Sequence, residues 1–177
     1  MDIKTSRAQC GFTLIELMVT TTVAIVLITV AVPAFTDLIA KIDLNTGSLQ
    51  VREVLRQARS EAVKTGNALH VCSVADGVSQ CAGTSGRGRK PWQHGMLVFH
   101  DANRDRRFTP GSDTLIYQVD FSAGLAVSWG RGDYLVYAGS GRPALANGTF
   151  ELLHTASGYQ KKLVLNNVGR IRSEQNW

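Results

Sequence analysis

The sequence predicts an α+β chain, a long N-terminal helix packed on an antiparallel β-sheet head. Three observations carry that expectation. The apolar run from Leu14 to Ala34 can just cross a hydrocarbon core about 30 Å thick, at about 1.5 Å per residue. After it, Leu44, Val51, Val54, Leu55, Ala58 and Ala62 recur largely at helical spacings, with Arg52, Glu53, Arg56, Arg59 and Glu61 between them. Beyond Gly66 the texture changes to short apolar runs separated by Gly-rich turns. In a chain of 177 residues this leaves enough beyond the membrane-length run for one domain with its own core.

The elements follow in order. The flank before the run carries Asp2, Lys4 and Arg7, a net positive charge, which holds that end in the cytoplasm and sends the C-terminal bulk outside. A cleavable secretory signal needs small residues after its apolar region, whereas Gly11 comes before it. Pro33 is expected to kink the helix and Asn45-Thr46-Gly47 to loosen it, with an end near Thr65-Gly66. Strands are expected over 68–73, 95–100, 114–121, 125–129, 134–137, 149–154, 161–165 and 169–172, with corners at 121–125 and 165–169.

The stretch Gly11-Phe12-Thr13-Leu14-Ile15-Glu16-Leu17 resembles the processing site of type IV prepilins and type II secretion pseudopilins. The resemblance implies that a prepilin peptidase cuts between Gly11 and Phe12 and methylates the new Phe12 amine. It also implies that Glu16 pairs with the Phe12 amine of a neighbouring subunit. A lipid-embedded carboxylate costs roughly 2–3 kcal/mol unless paired, which gives that role a physical basis; the rival is a side chain that merely reaches the headgroups. The implied organisation is a leader over 1–11, a transmembrane and filament-core helix over 12–39, and a head over 40–177. The head comprises an amphipathic helix over 40–65 and a β-rich part over 66–177. The implied location is the bacterial inner membrane, head in the periplasm, then the extracellular pilus, with other pilins as partners.

Gln57-Ala58-Arg59-Ser60-Glu61-Ala62-Val63, Val98-Phe99-His100-Asp101-Ala102-Asn103-Arg104-Asp105 and Gly169-Arg170-Ile171-Arg172 together look like the FimT/FimU–GspH family of minor pilins and pseudopilins. The tail resembles that of FimT-type proteins that bind DNA during natural transformation. Carried over, Arg170 and Arg172 would be the lead phosphate contacts. If the tail is extended, both point to one side, and Lys161 and Lys162 lie on a strand that can pair with it. The rival reading is a solvated edge strand whose charge discourages aggregation. Arg87, Arg89 and Lys90 form a second basic patch in what reads as a mobile loop, open to double-stranded DNA or simply solvated. Trp92 reads as a core anchor and Trp177 as a residue of open position, either able to stack on an unpaired base. Two further readings stay open: a FimU-like subunit that primes assembly or links a tip complex, and a GspH-like pseudopilin of type II secretion.

The net charge of +5 favours anionic partners without naming one. Of three cysteines, Cys10 lies in the leader, while Cys72 and Cys81 read as a disulfide outside the cytoplasm, with a two-thiol metal site as the poorer alternative. Asp101-Ala102-Asn103-Arg104-Asp105 starts like a calcium loop, but Arg106 and Ser112 stand where its Gly and closing Glu belong, so a turn bonded to its own backbone is expected. His70, His94, His100 and His154 show no ligand spacing, and no nucleophile elbow or phosphate loop appears. Neither catalysis nor a cofactor or metal is expected.

Overall fold

The computed structural model describes residues 12–76, 79–144 and 147–176; the leader with Cys10 and Gly11, and Trp177, lie outside the described residues. The chain divides between Leu38 and Ile39 into two compact units. Helix α1, Leu14–Thr65, begins in the first and continues into the second. Thr13 caps it, its hydroxyl accepting from the Glu16 N–H at 3.3 Å. Pro33 lies inside the helix without ending it. Among the described residues of the first unit the apolar side chains are exposed throughout. The hydroxyls of Thr20, Thr21, Thr22, Thr29 and Thr36 bond carbonyls one turn back, which hides their polarity from an apolar surrounding.

The second unit adds β1 (Leu69–Ser73), β2 (Lys90–Pro91), β3 (Gly95–His100), β4 (Thr114–Asp120), β5 (Leu125–Trp129), β6 (Tyr134–Tyr137), β7 (Pro143–Ala144), β8 (Gly148–His154), β9 (Gln160–Leu165) and β10 (Ile171–Asn176). Among the described residues they form two five-stranded antiparallel sheets, ordered β4-β3-β1-β6-β7 and β10-β9-β8-β5-β2. One core joins the buried stripe of α1 (Leu44, Val51, Val54, Leu55, Ala58, Ala62) to the inner faces of both sheets, with Trp129 stacked on Phe150 at 4.2 Å and Trp92 edge-on to it. A smaller cluster of Cys72, Val74, Leu97 and Phe99 sits on the outer face of the first sheet, under Cys81, Phe108 and Tyr134. There a disulfide joins Cys72 to Cys81. Closing so short a loop contributes a little under about 3 kcal/mol by the chain-entropy account.

Among its helix and strands the structure departs from the sequence reading chiefly in three places. Asn45-Thr46-Gly47 does not loosen the helix: Gly47 is buried, and a Cβ there would run into Leu125 Cδ2, so α1 and β5 approach closely at this residue. The last strand is Ile171–Asn176 rather than 169–172, because Gly169 takes φ 81° and completes a turn. The two-residue strands β2 and β7 were not anticipated; each contains a proline and is too short for any periodicity.

His70 on β1 bears on acid stability. Its ring packs on Phe99 and its Nε2 lies 3.6 Å from Asp101 Oδ2. Burial lowers its pKa below the usual 6.5, and Arg106 and His100 act in the same direction; Asp101 and Asp113 oppose them without winning. The folded state therefore binds fewer protons than the unfolded one just below pH 6.5. This contribution is complete above that pH and is lost as pH falls toward the folded pKa. The denaturant midpoint is expected to drop between about pH 7.5 and pH 5. His70→Phe should shrink that drop; an equal drop in the variant would assign the acid sensitivity to other groups.

Candidate nucleic-acid interface

The basic residues singled out in the sequence are brought together only in part: Arg89 and Lys162 meet at Glu151, and Lys161 does not join them. Lys161 faces inward with Leu163 and Leu165; it is 6 % exposed, and its Nζ donates to Asn45 Oδ1 on α1 at 2.7 Å. Burial, followed by the nearby Arg52 charge, lowers its pKa from 10.5. Lys161 thus ties the sheet to the helix and is not available to a phosphate. Lys162 faces outward but stands 3.7 Å from Glu151 and opposite Glu174.

Arg87, Arg89 and Lys90 also differ from the loose loop expected. Gly132 N–H donates to Gly88 O at 2.6 Å and Asp133 N–H to Ser85 O at 2.8 Å, while Lys90 pairs with Trp129. Arg89 reaches over the second sheet to Ser128 Oγ and Glu151 Oε2, both at 3.1 Å. Glu151 thereby stands between Arg89 and Lys162, so neither cation is without a carboxylate neighbour. Trp92 is fully buried and donates to Gly132 O at 2.9 Å, a core anchor rather than a stacking platform.

The turn carrying Arg170 is built by Asn166, whose Oδ1 accepts from the N–H of Val168 (3.1 Å) and Arg170 (2.8 Å). Arg170 lies at the end of this turn, its carbonyl accepting from Asn166 N–H at 3.1 Å, directly before β10, on which Arg172 pairs with Val164. A Cβ at Gly169 would lie 3.0 Å from an Arg59 guanidinium nitrogen, and one at Gly141 would lie 3.5 Å from Arg59 Nε. Gly141-Arg142 and Gly169-Arg170 thus belong to two turns with left-handed glycines, φ 73° and 81°, that both lie against Arg59. Arg59, Arg142 and Arg170 are exposed, as is Arg172, and among the described residues none of the four has a carboxylate within ion-pair distance. Arg59 and Arg142 were missed as contacts because only the packing of α1 against two distant turns brings them beside Arg170. What signal existed was the Gly-Arg dipeptide repeated at both turns.

The Asp101 loop is bonded to its own backbone: Asp101 accepts from Asp105 and Arg106, Asn103 from Asp105, and Asp105 from Arg107. Asp113, one position beyond Ser112, brings its carboxylate beside those of Asp101 and Asp105, and its oxygens accept from Ala102 and Thr109.

The family model of the type II transport protein GspH matches residues 49–169, and that of the prokaryotic N-terminal methylation motif matches residues 6–32. Among solved structures, the type IV minor pilin FimU of Pseudomonas aeruginosa is similar with a TM-score of 0.55 at 18 % identity, over 76 % of this chain and 90 % of that one. The minor pseudopilin EpsH from the type 2 secretion system of Vibrio cholerae is similar with a TM-score of 0.51 at 14 % identity, over 75 % and 97 % of the respective chains. At these identities the likeness is one of fold. No curated protein matches the chain significantly.

Proposed function

This chain belongs to the GspH family of minor pilins and pseudopilins, and we propose that it is a filament subunit whose head binds double-stranded DNA without sequence preference, for uptake in natural transformation. The family is structural rather than enzymatic. In this reading a prepilin peptidase cuts between Gly11 and Phe12, and the chain waits in the inner membrane with its head in the periplasm. It then enters a filament with other pilins, Glu16 meeting the Phe12 amine of a neighbour. Residues 12–39 serve as the membrane and filament-core helix and 40–177 as the head.

The observation that supports DNA as partner is that the turns carrying Arg142 and Arg170 both lie against Arg59, with Arg172 two residues further along the chain, all four exposed and without carboxylate partners among the described residues. Such guanidiniums can each neutralise a phosphate, so affinity should fall steeply with salt, with a log–log slope near about −3.6 for four contacts. The test is a titration of the full chain in nonionic detergent with unrelated duplex DNA at several salt concentrations. Arg170→Gln/Arg172→Gln is expected to flatten the slope by about 2, and Arg59→Gln/Arg142→Gln by a similar amount. Lys161→Gln and Lys162→Gln should leave it nearly unchanged. If the wild-type chain does not bind at low salt, the DNA reading is lost. The subunit is then a structural one, and loss of surface pili or retention of exoproteins on deletion decides between pilus priming and type II secretion.

A further inference from the structure

The outer face of the first sheet holds a cavity of about 320 Å³ that neither filament assembly nor DNA contact uses. Its floor is one register row across three strands: His70 on β1, Val136 on β6 and Ala144 on β7. Tyr134 stands two residues along β6, and Arg104 and Arg106 border the cavity from the β3–β4 loop. Both arginines have left-handed backbones, φ 63° and 64°. The loop is held in that shape by Asp101, which accepts the Arg106 N–H at 2.8 Å, and by Asp113, which accepts the Thr109 N–H at 2.7 Å. Arg106 lies over the Tyr134 ring, 5.4 Å from its centroid, and its Nη1 donates to the Tyr134 hydroxyl at 3.1 Å.

We propose that this cavity binds a single sugar-sized ring carrying one oxyanion, a sugar phosphate or a uronate. Among the described residues neither Arg104 nor Arg106 has a carboxylate within ion-pair distance. Asp101 also lines the wall, but its side chain is only 1 % exposed and its oxygens already accept backbone N–H groups, so an incoming anion meets the guanidiniums first. A guanidinium grips a phosphate or carboxylate through paired N–H donors, and a preformed loop loses little freedom in doing so. The Tyr134 hydroxyl accepts from Arg106, which leaves its own proton to donate to a ring hydroxyl. Val136 and Ala144 offer a small apolar floor for the C–H face of the ring. The volume is at the low end for ligand pockets and suits one sugar rather than a chain of them.

The test is calorimetric titration of the full chain, in a polyoxyethylene detergent free of sugar and phosphate, with glucose 1-phosphate, glucuronate, inorganic phosphate and glucose. The two anionic sugars should bind, inorganic phosphate at least about fivefold more weakly and glucose not at all in the same range. Arg104→Asn/Arg106→Asn, in which asparagine tolerates the left-handed backbone, should weaken the anionic sugars at least about tenfold. Ala144→Leu fills the floor while keeping both guanidiniums; it should weaken glucose 1-phosphate and leave inorganic phosphate unchanged. Glucose binding as well as its phosphate, no binding of either anionic sugar, or undiminished affinity in both variants would overturn the proposal.

Discussion

Alanine at Gly132 is expected to destabilise the head by about 4 kcal/mol or more, whereas alanine at Gly88 should cost about 1–2 kcal/mol. Both glycines have left-handed backbones, φ 95° and 71°, so both substitutions bear conformational strain. They differ in what a side chain would meet. A Cβ at Gly88 finds nothing within 4 Å, while one at Gly132 would lie 1.9 Å from Ser85 O and 2.8 Å from Gly86 backbone atoms. Backbone cannot swing aside as a side chain can. Relief must pull the 85–88 segment off the 132–133 segment and break Gly132 N–H to Gly88 O and Asp133 N–H to Ser85 O. The buried Trp92 indole would also lose its acceptor, Gly132 O, at about 1–3 kcal/mol for a donor left unsatisfied. Denaturant unfolding followed by tryptophan fluorescence reads the effect. Equal losses in the two variants would show that strain alone acts and that the close approach at Gly132 relaxes cheaply.

Where the backbone follows a regular period, the sequence announced it. Leu125–Trp129 alternates inward and outward along its whole length, and Gly148–His154 does so from Phe150 onward; both are short apolar runs closed by turn residues, which makes their bounds legible to within a residue. The helix stripe from Leu44 to Ala62 was legible at the helical period. Parity was also available for Lys161, which shares a face with Leu163 and Leu165; reading it as a surface cation set charge above period. Its partner Asn45, 116 positions away, has no local trace, and neither does the approach of Arg59 to Gly141 and Gly169. Contacts of that kind follow from how α1 lies on the sheets, which short-range patterns do not encode. The candidate DNA surface therefore gains two turns around one helical arginine. The two tail arginines remain in it, while Lys161, Lys162 and Arg89 are engaged elsewhere.

Glutamine at Glu16 is expected to leave α1 formed and the chain in the membrane, and to reduce its recovery in filaments by more than about a hundredfold. Two roles compete for this residue. Thr13-Leu14-Ile15-Glu16 has the spacing of a capping box, and the Thr13 hydroxyl accepts the Glu16 N–H at 3.3 Å. If capping were the whole role, glutamine would serve as well, since its amide carbonyl can reach back as a carboxylate does. If Glu16 instead meets the cationic Phe12 amine of a neighbouring subunit, glutamine removes the charge, and the amine enters an apolar environment without its partner. A buried ion pair broken from one side typically costs about 3–5 kcal/mol, far more than a lost cap at about 1 kcal/mol. Thr13→Ala is the matching control, because it weakens the cap and keeps the charge. The measurement is an immunoblot of membrane and sheared-filament fractions for both variants, with mass spectrometry of the Phe12 terminus to establish that processing is unchanged. Normal filament recovery of Glu16→Gln beside a loss in Thr13→Ala would assign Glu16 to the helix end alone. The reverse pattern would assign it to the contact between subunits, where a carboxylate so near the start of an apolar helix has a reason to be kept.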